Sequence, residues 1–434
     1  MNKDIVLIMP NFNWQVNFDV QKDPPMGVLY IAAVLELNGY IVTIIDANAE
    51  NLSLDAVMKK IKAIEPYFIG ISANYSPLNN LALLLSKSIK EHNKDIIVAI
   101  GGNHATASYK YILGKSNNSV DFIIKGQGET ILPNLLKALE QNEEINCIKG
   151  IAYIKNGKVI STEEQELIKN LDDIPMPAYH LVSMKLYDRY NIISSRGCPY
   201  KCTYCASSII SNKVFYRSPE NIVNEIEYLV RNYGEKFFWF SDDTFTSNFE
   251  HTNKLLNLII ERNLKIKWSC LTRVNRTNKA LLEKMKKAGC VYISYGVESG
   301  DIDILEKMNK KITLDEVKEA LKMTKEAGID MYTFFLIGYP GETIESVHES
   351  FNLIRETKPT GVSFAIVIPL PGTSLWEYLS ERNYIDFDKI NWDYLFAKSG
   401  KDKYENYSAQ LASTWCNISA EDLVKLCEEA QKII

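Results

Sequence analysis

Hydrophobic positions in this chain alternate between two spacings. Short apolar runs of strand length are separated by longer stretches in which apolar residues recur with a helical period. Before residue 145 the runs are Ile5–Met9, Ile41–Ile45, Phe68–Ile71, Ile96–Ile100 and Phe122–Lys125. The helical stretches between them are Gly27–Asn38, Leu54–Ile64, Leu78–His92 and Ile131–Glu140. Next, Ile151–Ile154 and Lys158–Ile160 flank Asn156-Gly157, a dipeptide that predicts a tight hairpin. The run Leu171–Ala178, with two prolines and two aspartates, reads as a linker. From residue 185 the alternation resumes. Strands are predicted at Asn191–Ser195, Phe237–Ser241, Ile266–Leu271, Val291–Val297, Met331–Ile337 and Val362–Val367. Helices are predicted at Pro219–Tyr233, His251–Arg262, Asn278–Ala288, Leu314–Ala327 and Ile344–Glu356.

Strands that alternate with helices imply right-handed crossovers and parallel sheets. The pattern therefore predicts an α/β protein. Residues 1–145 form a flavodoxin-like (Rossmann-type) parallel sheet, 146–184 a hairpin and linker, and 185–375 a partial (β/α)6 TIM-like barrel. Residues 376–434 form a C-terminal aromatic and helical tail with Trp376, Trp392, Tyr394 and Trp415, expected to plug the barrel or shape a pocket. Ligands of such sheets lie beyond the carboxyl ends of the strands. That directs attention to Pro10–Gly27, Asp46–Asn48, Ser72–Tyr75, Gly101–His104 and Gly126–Glu129.

Composition narrows the function classes. A formal charge of −5 over 434 residues does not suggest a nucleic-acid binder. The N-terminal apolar run is too short for a signal peptide and no stretch reaches membrane-span length, so a cytoplasmic protein is expected. Cysteine usage fits a reducing compartment: there are eight, and only three cluster.

Those three, Cys198, Cys202 and Cys205, lie in Arg196-Gly-Cys-Pro-Tyr-Lys-Cys-Thr-Tyr-Cys205, directly after a predicted strand. Three thiolates so placed can hold three irons of a [4Fe–4S] cubane and leave the fourth open. A structural zinc site needs a fourth protein ligand, and no nearby His or Cys offers one. An odd triad is a poor disulfide set. Cys270 and Cys290 read as small apolar packing residues, and Cys147, Cys416 and Cys427 are scattered.

With Tyr204 before the last thiol, the triad resembles the signature of the radical S-adenosylmethionine (radical SAM) superfamily. Later strand ends match in order: Ser241–Phe245, Thr272–Asn275, Tyr295–Gly300, Gly338–Thr343 and Pro369–Thr373. By this resemblance Asp242 or Asp243 contacts the SAM amino group, Arg273 pairs with its carboxylate and Glu298 meets the ribose. The bland alternatives are helix caps for the aspartates and for Glu342 and Thr343, and a surface ion pair for Arg273 or Glu298.

The N-terminal segment resembles the cobalamin-binding domain joined to many radical SAM proteins. The matching positions are Gly27, Asp46, Ser72, Gly101, Gly102, Gly126 and Glu129. The Asp-x-His-x-x-Gly element that supplies an axial histidine is absent, and His104 reads as a loop residue. The combined resemblance implies reductive cleavage of SAM to methionine and a 5′-deoxyadenosyl radical, with cobalamin-dependent methylation of an unactivated carbon or phosphorus centre. It also implies an external electron donor, flavodoxin or ferredoxin, and a small-molecule or peptide substrate. A non-methylating radical reaction and a corrinoid or redox sensor are the alternatives. A sensor would not need the residues facing SAM. A tRNA-modifying role is disfavoured by the charge and by the lack of a basic RNA-binding module.

Overall fold

The structure, a computed structural model, describes residues 4–14, 22–211, 213–234, 236–395, 403–430 and 432–433. Residues 15–21 of the expected loop after Pro10 and residues 396–402 of the tail lie outside the described residues. Contacts divide the chain into two compact units, Met1–Arg189 and Tyr190–Ile434. No helix among the described residues is long and apolar enough to cross a membrane.

In the first unit, β1 (Asp4–Met9), α1 (Met26–Leu37), β2 (Ile41–Asp46), α2 (Leu54–Ile64) and β3 (Phe68–Ser72) open the alternation. It continues with α3 (Leu78–His92), β4 (Ile97–Gly101), α4 (Asn103–Lys115), β5 (Phe122–Ile124) and α5 (Gly128–Gln141). The hairpin β6 (Ile151–Lys155) and β7 (Lys158–Ser161) completes a sheet of order β2-β1-β3-β4-β5-β6-β7. The first five strands pair in parallel and the hairpin adds antiparallel to β5. Helices cover both faces, which is why consecutive residues of β1, Ile5 to Ile8, are all buried.

The sequence reading gave no helix between β4 and β5, and α4 corrects it. A glycine pair precedes this helix, its middle residue Ser108 leaves helical geometry (φ −111°, ψ 16°), and its apolar residues make only a weak stripe. The periodicity signal is therefore blurred. The segment after the hairpin runs back over its own unit. Ala178 N–H donates to Leu29 O at 3.1 Å, and Arg189 grips Asp23 through two bonds of 2.8 and 2.7 Å.

The second unit begins with β8 (Tyr190–Ile192), β9 (Ser195–Arg196), α6 (Ser207–Ile210) and β10 (Phe215–Tyr216). Regular alternation follows: α7 (Pro219–Tyr233), β11 (Phe237–Phe240), α8 (Phe249–Glu261), β12 (Lys267–Thr272), α9 (Lys279–Lys287) and β13 (Cys290–Glu298). Next come α10 (Ile302–Lys307), α11 (Leu314–Glu326), β14 (Asp330–Ile337), α12 (Ile344–Thr357) and β15 (Gly361–Ile366). Six strands form one sheet of order β15-β14-β13-β12-β11-β8, with every pair parallel. β8 and β15 stay as edges, so the barrel is partial. The outer face of the sheet is sealed by Phe240, Phe245 and Trp268, whose rings meet at 4.7 to 5.3 Å.

In the tail, α13 (Ser374–Glu381) is followed by α14 (Lys403–Ala412) and α15 (Ala420–Ala430). The last two pack on β15, where Ala412, Leu423 and Ile366 crowd around Gly338. They cover an edge strand, a task every open sheet faces. Trp415 fixes this cover by donating its Nε1–H to Gly338 O at 2.9 Å.

Candidate functional site

The cysteine loop leaves the carboxyl end of β8, where its shape is set by bonds to three later turns. Thr203 N–H donates to Met308 O at 3.0 Å, and Asn309 Nδ2 donates to Lys201 O at 2.6 Å. The hydroxyl of Thr203 lies 2.7 Å from that of Tyr339, and Leu375 N–H donates to Thr203 O at 2.8 Å. The loop therefore depends on the end of α10, the turn after β14 and the start of α13. Sequence patterning places none of these contacts.

All three cysteines are free thiols; Cys198 and Cys202 are buried and Cys205 is half-buried. Each sulfur has a polar neighbour. Thr244 Oγ1 lies 3.7 Å from Cys198 Sγ, and Arg273 Nη1 donates to Cys202 Sγ at 3.4 Å. Ser207 hydrogen-bonds the Cys205 thiol. Burial pushes the Cys198 and Cys205 thiols up, and the nearby Asp243 carboxylate adds to this. Among the described residues, no three His, Cys, Asp or Glu side chains gather as a single-ion site. The donor set, three thiols on one loop with hydrogen-bond donors aimed at sulfur, fits an iron–sulfur cluster bound through three separate irons.

The strand ends bring four further groups towards this loop. Asp242 is buried and accepts from Ser194 N–H at 3.3 Å, from Ser194 Oγ at 2.8 Å and from the Ser195 hydroxyl. Burial pushes its carboxyl up to about 6 against these bonds. It braces the end of β8. Asp243 accepts from Ser207 Oγ at 2.7 Å and opens to solvent, although the walls of the cleft still push its carboxyl upward. Neither aspartate caps α8, because Asn248 accepts from the amides of Glu250 and His251.

Arg273 is 5 % exposed and stacks its guanidinium on the Tyr200 ring, 3.8 Å from the centroid. Its Nη2 donates to Lys310 O, and its Nε has no partner among the described residues. A buried guanidinium with an orphaned donor and no ion pair among the described residues has the chemistry to receive an anion. The surface-pair alternative fails for Glu298 as well. Its partner is Lys310, at 2.7 Å, and both are buried. Glu298 sits at φ 76° where the β13–β14 register shifts. A side chain on Gly296 would strike Glu298 Oε1 at 2.5 Å and Lys310 Nζ at 2.9 Å, so glycine there leaves room for the pair. Lys310 Nζ also donates to Tyr204 OH at 3.3 Å. Sequence reasoning missed Lys310, because Asn309-Lys310-Lys311 reads as a solvated basic turn.

For Thr343 the helix-capping role holds, whereas Glu342 turns back to brace the loop before the helix. Thr343 forms a capping box with Ser346 on α12, and Glu342 accepts from the amides of Gly338 and Tyr339 at 2.5 and 3.3 Å.

In the first unit, the parallel strands carry Asp46, Ser72, Gly101 and Gly126 to one edge of the sheet, with Ser72 opposite Gly101. Gly27 and Glu129 stand in the first turns of α1 and α5. The order β2-β1-β3-β4-β5 puts the switch point between β1 and β3. Asp46 is committed internally: it accepts from Ala49 N–H at 2.9 Å and from Tyr187 OH at 2.8 Å. Ser72 Oγ accepts from Asn74 Nδ2 at 3.4 Å. Gly102 (φ 115°) lies against Ala73 and Asn74 so closely that a Cβ would overlap their atoms at 2.6 to 2.9 Å. A Cβ on Gly27 or Gly126 would meet nothing within 4 Å among the described residues. These two glycines therefore front open space at the edge where a nucleotide tail or corrin amides could approach, and the first unit fits such a group. His104 is buried, bound through Nδ1 to Ser76 Oγ at 3.3 Å, and burial lowers it to about 3.

Comparison with known proteins agrees with both units. Residues 192–354 match the radical SAM superfamily, and residues 20–136 match the B12 binding domain. An uncharacterized methyltransferase of Pyrococcus horikoshii is 33% identical over 375 residues, covering 85% of this chain and 81% of that protein. The anaerobic magnesium-protoporphyrin IX monomethyl ester cyclase of Rubrivivax gelatinosus is 30% identical over 403 residues, covering 89% and 72%. Among solved structures, the radical SAM methyltransferase TsrM from Kitasatospora setae has a TM-score of 0.74 at 17% identity. That match covers 88% of this chain and 76% of TsrM. Both matches and the relative from Pyrococcus horikoshii thus show that the chain belongs to the radical SAM superfamily, in the branch that carries an N-terminal B12-binding domain.

Proposed function

We propose that the protein is a cobalamin-dependent radical SAM methyltransferase acting on an unactivated carbon or phosphorus centre of a small molecule. The observation that carries this reading is the buried Arg273, whose Nη1 points at Cys202 Sγ and whose Nε lacks a partner among the described residues. It supports a cation set beside the cluster loop to receive the carboxylate of an iron-chelating cosubstrate. When bound, the cluster and SAM supply a 5′-deoxyadenosyl radical, and the corrinoid supplies the methyl group.

The chain's own residues do the positioning. Cys198, Cys202 and Cys205 would hold the cluster and leave one iron open. Arg273 would orient the SAM carboxylate. Asp243, solvent-facing and beside Cys198 and Cys205, is better placed than the braced Asp242 to accept from the SAM ammonium. Glu298 would accept from the ribose hydroxyls. Gly27, Gly101, Gly102, Gly126, Ser72 and Glu129 would border the corrinoid, with Asp46 shaping the turn behind them. His104, buried and neutral, is not an axial ligand in this reading. The electron would come from an external flavodoxin or ferredoxin.

The cyclase relative favours a second reading, in which the same radical drives a non-methylating step. Product analysis for transfer of the SAM methyl group separates the two. The core of the proposal is tested by replacing Cys198, Cys202 and Cys205 with alanine. Anaerobically reconstituted parent is expected to hold about four irons per chain and to release 5′-deoxyadenosine from SAM under a strong reductant. The triple variant should do neither. Equal iron and equal SAM cleavage in both proteins would reject the assignment.

A further inference from the structure

Lys310 is a buried cation of the second unit, and nothing above gives it a part in the chemistry. It is 4 % exposed, in the turn after α10, between Asn309 and Lys311, both at positive φ. That turn is held at its ends. Asn309 Nδ2 donates to Lys201 O at 2.6 Å, and Asn275 Nδ2 donates to Lys311 O at 3.1 Å. The backbone therefore forces residue 310 inward, while its neighbours are fixed to the cysteine loop and to the turn after β12.

Two groups that the proposed function directs at the cosubstrate, Glu298 and Arg273, meet on this one residue together with Tyr204 of the cysteine loop. The ammonium donates to Glu298 Oε1 at 2.7 Å and to Tyr204 OH at 3.3 Å. The carbonyl accepts from Arg273 Nη2. Glu298 has strong reason to need such a holder, since a buried non-glycine residue at φ 76° sits in costly backbone geometry. An unpaired carboxylate there would also be desolvated without compensation. A buried pair is no net stabiliser compared with well-packed apolar groups, so its value is directional.

We propose that Lys310 is a positioning residue of the cosubstrate site: its ammonium fixes the Glu298 carboxylate against Tyr204, so that one carboxylate oxygen is presented to the ribose diol. This rests on the function proposed above. Lys310 touches no reacting atom in this account and acts through Glu298.

The test uses full-length, anaerobically reconstituted protein, with SAM titrated against the reduced-cluster electron paramagnetic resonance signal. Lys310→Met and Lys310→Gln are each expected to keep the iron content of the parent and to weaken SAM binding by about 10-fold or more, the scale of a lost charge-assisted hydrogen bond. The discriminating measurement is the Glu298→Gln background. There, Lys310→Met should cost less than about 3-fold, because the group it positions is already gone. Equal losses in both backgrounds would overturn the proposal, as would unchanged SAM affinity. Loss of iron in both single variants would also overturn it, since Lys310 would then be a scaffold of the cysteine loop. If only Lys310→Met loses iron, Lys310→Gln carries the comparison in both backgrounds. A parent whose cluster signal does not respond to SAM would instead reject the functional reading beneath it.

Discussion

Glu342 illustrates how a single buried carboxyl can shape the behaviour of the chain. It is 1 % exposed and burial pushes it up to about 8, with the amides of Gly338 and Tyr339 partly opposing. The unfolded chain releases this proton near the ordinary value of 4.5. Between those two values the folded chain binds the extra proton, so this group's contribution to stability falls as pH rises through the window. Glu342→Gln keeps an acceptor for the Gly338 amide and removes the titration. Relative to parent, the variant should gain on the order of 4 kcal/mol between pH 5 and pH 8.5. Thermal midpoints of both proteins at the two pH values check this. A constant gap would show that Glu342 does not titrate with folding.

The same scale shows where sequence reading reached and where it stopped. Cys198, Cys202 and Cys205 were legible because close spacing along the chain already confines their thiols to one loop. Asp242 and Asp243 were not separable, being adjacent and chemically identical. Only the serines at the end of β8 assign Asp242 to bracing and leave Asp243 facing solvent.

Among elements, α7 explains how the start of the barrel is tied down. Ser218 caps it, with Pro219 at its first position, where the missing N–H costs nothing. Its inward face carries Glu225, fully buried, in a 2.5 Å pair with Arg217. Arg217 in turn donates to Ile193 O at 3.0 Å, two residues before Ser195, and to Asn221 Oδ1 at 2.8 Å. The helix, the strand end and the cysteine loop are thereby coupled. Glu225→Ala strands a buried guanidinium and should cost about 3–5 kcal/mol, measured by urea unfolding. A loss below about 1 kcal/mol would mean that the other partners of Arg217 suffice.

Helix boundaries such as Leu54–Ile64, Leu78–His92 and Pro219–Tyr233 coincide with those read from apolar periodicity. The elements that escaped include α4, kinked at Ser108, and the short α6, β10 and α10. Short or bent helices do not accumulate enough turns for a period to emerge.

At the scale of the whole molecule, two sheets with separate cores predict separate unfolding steps. Calorimetry of the cluster-free chain should resolve two transitions, and added cobalamin should raise only the one belonging to residues 1–189. A hundredfold excess over the dissociation constant would stabilise that unit by about 2.7 kcal/mol. A single transition, or a shift confined to the other unit, would refute the assignment.

What the sequence determined by itself was everything carried by local repetition. It set the class of fold, the order of the long, regular strands and helices, and the loop that gathers three thiols. Those follow from periodicity and spacing, which involve residues near one another in the chain. Tertiary structure alone decided which charges are buried and what they face. Arg273 meets a sulfur and a carbonyl, Glu298 is held by Lys310, and Asp46 turns inward to Tyr187. Residue type carries a charge, but the free energy of that charge depends on solvent access and on partners from distant segments, and only the folded chain supplies both.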